Sequence, residues 1–116
     1  DLYEQGKAAY EGKKYDAAAD AFQEYLKFPK AKNSENAHFM KAESHFQLGQ
    51  YKKAIIDYSV ILEKFPKSKK AATSLYKTAM SFDALGMKAD AKTFYQELVD
   101  KYPKSPEAKK SLSKLK

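Results

Sequence analysis

Alanine recurs at positions 18, 54 and 91, and proline at 29, 66 and 103, so the chain repeats itself every 36 to 37 residues. A unit of that length cannot bury its own apolar face, so copies must stack side by side. Around each alanine the spacing is helical. Tyr15, Ala18, Phe22 and Tyr25 share their offsets with Tyr51, Ala54, Tyr58 and Ile61, and with Lys88, Ala91, Tyr95 and Leu98. Those offsets form one face of an α-helix. A small residue at the same place in each unit predicts a close helix–helix crossing. The partner helix lies upstream, where Gly6, Ala42 and Ala79 each stand twelve residues before their alanine. Around them sit Leu2 and Ala9, His38 and His45, and Leu75 and Phe82.

The punctuation repeats too. Gly12, Gly49 and Gly86 fall near the turn inside each pair, where a left-handed residue commonly follows a helix end. Phe28-Pro29, Phe65-Pro66 and Tyr102-Pro103 are expected to end the second helices, an aromatic closing the apolar face and proline blocking continuation. Ser34, Ser68 and Ser105 are expected N-caps, with Pro106 at the first helical position. The units run from about 1–29, 34–66 and 69–103, and a capping helix spans about 105–115 with Ala108, Leu112 and Leu115 on its inner face. The expected fold is a single all-α domain: a right-handed superhelical solenoid of three helix hairpins plus a C-terminal capping helix.

Chemistry is hard to place on this chain. There is no cysteine, which excludes thiolate metal sites and cysteine nucleophiles. His38 and His45 are seven apart, not four, and both occupy packing positions, so no metal is expected. The acidic ridge Asp16, Asp20 and Glu24 reads as a solvated face paired with Lys13 and Lys27. No glycine-rich phosphate loop and no nucleophile–base order is present. The chain is expected to be no enzyme, with no cofactor.

The net charge of +7 comes entirely from lysine, with no arginine. Arginine's planar fork is the usual grip on phosphate, so no nucleic acid is expected. The lysines read first as solubility; a lysine-rich polyanion-binding module is the alternative, with salt-sensitive affinity as its signature. No apolar run is long enough to span a membrane.

What such an array does offer is a concave wall lined by its first helices. The register turns Tyr3, Lys7 and Tyr10 toward it in the first unit. Asn36, Phe39, Glu43, Phe46 and Gln47 follow in the second, and Thr73, Tyr76, Met80 and Asp83 in the third. Tyr3, Phe39 and Tyr76 form an aromatic row flanked by polar groups, which suits an extended peptide. The competing reading is that these rings only pack between neighbouring first helices, most of all Tyr10 and Phe46.

A helix pair with a small residue in each helix, a glycine turn, an aromatic and a closing proline resembles the tetratricopeptide repeat (TPR). The junctions Pro66-Lys67-Ser68-Lys69-Lys70-Ala71 and Pro103-Lys104-Ser105-Pro106-Glu107-Ala108 lengthen the usual 34-residue period. With the stretches Tyr15–Phe22 and Leu85–Ala91, they are similar to the C-terminal domain of the Tol-Pal system protein YbgF family, also called the cell division coordinator CpoB family. That resemblance implies a bacterial periplasmic protein whose groove binds a TolA-like partner. It implies a role coordinating outer-membrane constriction with septal peptidoglycan synthesis, whose machinery is a further partner. It also implies a signal peptide and a trimerising coiled coil upstream, hence a homotrimer at full length. Lys88 departs from the tyrosine of the other units, as does the Lys30–Asn36 junction from the Pro-x-Ser form. Outer-membrane assembly lipoproteins of the BamD type share these junctions and are the alternative family reading.

Overall fold

The computed structural model describes all residues, 1–116. Seven α-helices and a closing 3-10 turn make the fold, without a strand. They are α1 (Leu2–Glu11), α2 (Tyr15–Tyr25), α3 (Ser34–Gln47), α4 (Tyr51–Lys64), α5 (Ala71–Ala84), α6 (Lys88–Lys101) and α7 (Pro106–Ser111), with the 3-10 turn at Leu112–Leu115. The pairs α1–α2, α3–α4 and α5–α6 are hairpins, stacked into an all-α array of 46 × 27 × 20 Å. No helix is long and apolar enough to cross a membrane.

The three alanines occupy the same seat. Ala18 and Ala54 are 0% exposed and Ala91 is 1% exposed, facing the equally buried Gly6, Ala42 and Ala79 across each hairpin. Each crossing is thus small on small, which lets the backbones approach and brings the next aromatic, Phe22, Tyr58 or Tyr95, into the core. Gly6 is the tightest case. A Cβ added there would lie 2.7–2.9 Å from ring carbons of Phe22, so alanine does not fit without displacing that ring.

Curvature follows from which helices touch. α1 contacts α3, α3 contacts α5 and α5 contacts α7, whereas no second helix contacts the next second helix. The first helices therefore form the inner side of the array and the second helices fan outward.

Four local features differ from expectation. Gly49 and Gly86 are left-handed, at φ 72° and 78°, but Gly12 is not, at φ −82°. The left-handed residue of the first turn is Lys13, at φ 60°; it lies one period before Gly49, and Gly12 stands one residue early. Second, α2 stops at Tyr25, and Phe28 is 59% exposed rather than closing the apolar face. Lys27 and Phe28 bond to the third preceding carbonyl, which tightens the helix end and throws Phe28 outward. Phe65 and Tyr102 keep the fourth-preceding bond and stay packed. Tyr25 secures the first junction instead, its hydroxyl accepting from the Asn33 N–H at 3.0 Å.

Third, only Ser105 caps as expected, accepting from the Ala108 N–H at 3.0 Å with Pro106 behind it. Ser34 is already inside α3, and Ser68 accepts from the Lys70 N–H within the junction before α5 begins at Ala71. Fourth, the capping helix is α-helical only to Ser111, and its buried face is Ala108 and Ser111; Leu112 is 53% exposed. Leu112 repeats the position of Leu75, which packs against Leu98 of its own second helix. Leu112 has no such helix over it. The buried Ser111 hydroxyl donates to the Glu107 carbonyl at 2.8 Å, and Leu115 packs back on the third hairpin.

Candidate functional site: the inner groove

The aromatic row holds one repeated geometry. Tyr3 meets Phe22 edge-on with centroids 6.1 Å apart, Phe39 meets Tyr58 at 6.1 Å, and Tyr76 meets Tyr95 at 6.2 Å. The interplanar angles are 66°, 63° and 62°. T-shaped contacts set a ring's positive edge against its neighbour's negative face. Each inner ring is therefore half core and half groove surface.

A second repeated seat lies near the turns. Tyr10 packs on Tyr15 at 5.3 Å and Phe46 on Tyr51 at 5.6 Å. In the third unit these positions are Asp83 and Lys88, joined by a 3.0 Å ion pair. The departure at Lys88 is thus matched by a departure at its contact partner, and the hairpin keeps a first-to-second helix tie.

Hydroxyls under the groove are also matched. Tyr58 is fully buried and donates to Glu43. Tyr95 donates to Asp83 at 2.9 Å, one turn further along its first helix than Glu43 would lie. In the first unit the ring is Phe22, which needs no acceptor, and the position of Glu43 is taken by Lys7. Burial first, and then the neighbouring carboxylate, raises both tyrosines well above the ordinary phenol range. Burial raises Tyr10 as well, with the Glu43 charge acting across the unit boundary. Asp83 is held below the usual carboxylate value: burial alone would raise it, and Lys88, Tyr95 and Lys114 together outweigh that.

Three of the polar groups expected to face a ligand are engaged between neighbouring units. Asn36 Nδ2 donates to the Tyr3 hydroxyl at 2.7 Å. Glu43 Oε2 accepts from Lys77 Nζ at 2.7 Å, and Thr73 Oγ1 donates to Glu107 Oε2 at 2.6 Å. These partners lie 33 or 34 residues apart, one step from first helix to first helix. Glu43 is 9% exposed and so is a strut, with little surface for a ligand. Lys7, Gln47 and Met80 form no such tie; Gln47 is exposed, and Lys7 and Met80 are half-buried.

Lysines border the inner rings: Lys7, which the register turns toward the groove, and Lys70 and Lys77, which it misses. Lys7 Nζ stands 5.3 Å from the centroid of Tyr3, Lys70 Nζ 5.7 Å from Phe39, and Lys77 Nζ 5.2 Å from Phe46. Ammonium over a ring face is an attractive contact. Lys70 and Lys77 carry no obvious signal in a single unit, because each reaches back to a ring of the unit before. The groove thus presents ring surface rimmed by cations, with no group of acids and histidines arranged to hold a metal.

Comparison with known proteins agrees with this architecture. One tetratricopeptide repeat model matches residues 3–69 and a second matches 73–105. Among solved structures, the Arabidopsis OM64 TPR domain superposes with a TM-score of 0.77 at 20% identity, over 99% of this chain and 91% of that one. The Sgt2 TPR domain from Aspergillus fumigatus gives 0.76 at 21% identity, over 98% and 74%. The first TPR of Spaghetti (RPAP3), bound to the HSP90 peptide SRMEEVD, gives 0.73 at 23% identity, over 98% and 86%. At these identities the likeness is one of fold. No individually curated protein matches the chain significantly in sequence. The repeat models span well over half of the residues, and the chain belongs to the tetratricopeptide repeat family.

Proposed function

We propose that this chain is a non-catalytic protein–protein interaction module that holds an extended partner segment along its inner groove. The observation that carries the reading is the row Tyr3, Phe39 and Tyr76, three rings in one geometry on the side where the first helices meet. Rings fixed by packing give contact area at little entropy cost, and the lysines above them add cationic hydrogen-bond donors. A related fold, the first TPR of Spaghetti, carries a bound peptide, which supports the same mode of use.

The finer reading is a role in the bacterial periplasm within the Tol-Pal machinery, with TolA as partner and constriction coordinated with septal peptidoglycan synthesis. The stretches Tyr15–Phe22 and Leu85–Ala91 and the Pro-x-Ser junctions support it.

The test is calorimetric titration of TolA into the wild type and into Lys7→Glu and Gln47→Glu. Alanine at Phe39 or Tyr76 would remove core contacts as well as groove surface, so the rings are tested as Tyr76→Leu with a melting control. Binding that weakens about tenfold in these variants is the expected result. Unchanged affinity would move the site off the groove, and no binding of TolA to the wild type would dismiss the Tol-Pal assignment.

A further inference from the structure

The three hairpins end alike in sequence but not in structure. Lys27-Phe28-Pro29-Lys30, Lys64-Phe65-Pro66-Lys67 and Lys101-Tyr102-Pro103-Lys104 stand one period apart. Phe65 and Tyr102 are half-buried, whereas Phe28 is 59% exposed. The first junction is also the longest: residues 26–33 lie between α2 and α3, against 65–70 and 102–105 in the later units. Its projection is held at both ends. The Ala31 N–H donates to the Phe28 carbonyl at 3.2 Å, closing a turn with Pro29 in its second place, where the fixed φ of proline suits a turn. The Asn33 N–H donates to the Tyr25 hydroxyl at 3.0 Å and ties down the far end. Phe28 therefore stands at the head of a fixed turn with more than half of its surface open.

Its surroundings are cationic. Residues 26–33 contain Lys27, Lys30 and Lys32 and no acid. Along the edge where the hairpins join, lysine recurs twice in every unit. Lys27, Lys64 and Lys101 lie at second-helix ends, where a cation answers the negative pole of the helix, and Lys27 and Lys101 pair with Glu24 and Glu97. Glu63 and Asp100 lie in the same last turns. Lys30, Lys67 and Lys104 lie beyond the prolines; all three are exposed and none makes an ion pair. Helix dipoles account for the first row and not for the second. Solubility accounts for the charge, but not for an open aromatic ring set among it.

We propose that this edge docks on an anionic lipid bilayer, with Phe28 entering the boundary between headgroups and acyl chains and Lys30, Lys67 and Lys104 facing the headgroups. A lipid surface is negative along its whole length, so it matches a cation row repeated in every unit. It also admits an aromatic side chain without a preformed pocket. No arginine is present to grip nucleic-acid phosphates with two parallel bonds. Contact is made by the helix ends and junctions, so the inner groove, which runs along the sides of the first helices, stays open. The docking does not depend on what that groove binds.

The chain has no tryptophan, so Phe28→Trp places a single fluorescent reporter at the tip. Met87→Trp, exposed beside the turn inside the third hairpin, places one on the opposite edge. The probe is vesicles of roughly three parts phosphatidylcholine to one part phosphatidylglycerol, compared with pure phosphatidylcholine. Emission of the Phe28→Trp variant should shift to the blue with the anionic vesicles only, and brominated acyl chains should quench it; the Met87→Trp variant should not respond. In cosedimentation, Lys30→Gln/Lys67→Gln/Lys104→Gln should bind about a hundredfold more weakly, at about fivefold per lysine. Lys14→Gln/Lys52→Gln/Lys53→Gln has the same net charge, with its changes at exposed positions near the turns, and should lose far less. Phe28→Ser should lose about tenfold. Unshifted emission of the Phe28→Trp variant, an equal shift in the Met87→Trp variant, or equal losses in the two lysine triples overturns the proposal. Capture by duplex DNA as tight as by the vesicles overturns the assignment to a bilayer.

Discussion

At the scale of single residues, most seats are explained by what lies one period away. His38 is the instructive exception. It occupies the position of Leu75, which is 1% exposed in the third hairpin, yet its Nδ1 is buried without a partner. Burial first, then the charges of Lys41 and Lys64 against that of Asp57, lower its proton affinity below the ordinary imidazole value of 6.5. The unfolded chain thus takes up a proton near pH 6.5 that the folded chain refuses. The stability associated with neutral His38 is complete above that pH and declines as pH falls through and below it. His38→Leu should stabilise the protein by about 1 kcal/mol at pH 7.5. Urea unfolding at pH 7.5 and 5.5 should then show a smaller acid loss in the variant than in the wild type. His45 is common to both, so the difference reports His38.

At the scale of elements, the first hairpin is bent at the wrong residue for its chemistry. Lys13 bears the left-handed conformation that Gly49 and Gly86 bear in the other two turns, and Gly12 beside it has an ordinary φ. A side chain in that region is strained, whereas glycine adopts it freely. Lys13→Gly should raise stability by roughly 0.5–1 kcal/mol, read as a higher urea midpoint with an unchanged slope. Gly12→Ala should be close to neutral there, since an added Cβ meets only ordinary contacts at 3.4 and 3.7 Å. The position was legible in the sequence through the period, which points to residue 13; the glycine one residue earlier drew the eye away. The alanine seats were legible because only small residues permit the crossing. Serine caps were less so, since Ser34 and Ser68 sit near helix starts without lying at the capping position.

At the scale of the whole molecule, the units are joined by bonds that no single repeat displays. Asn36 with Tyr3, Glu43 with Lys77, and Thr73 with Glu107 meet only once hairpins stack, so reading each unit alone assigned Asn36, Glu43 and Thr73 to a ligand. Lys77→Met tests the central strut. It leaves Glu43 nearly buried with only the Tyr58 hydroxyl as partner, and should cost about 2 kcal/mol, less than for a fully buried pair because Lys77 keeps some exposure. Adding Glu43→Gln removes the stranded charge while keeping an acceptor for Tyr58, and most of the loss should return. A double variant no more stable than Lys77→Met would show that the strut is not electrostatic.

Contact along the array runs from first helix to first helix and from each second helix to the next first helix, never from second helix to second helix. The outer helices thus stand like the ribs of a fan, each seated on the inner helices on either side of it. Substitutions on the outer faces of different ribs should therefore combine additively.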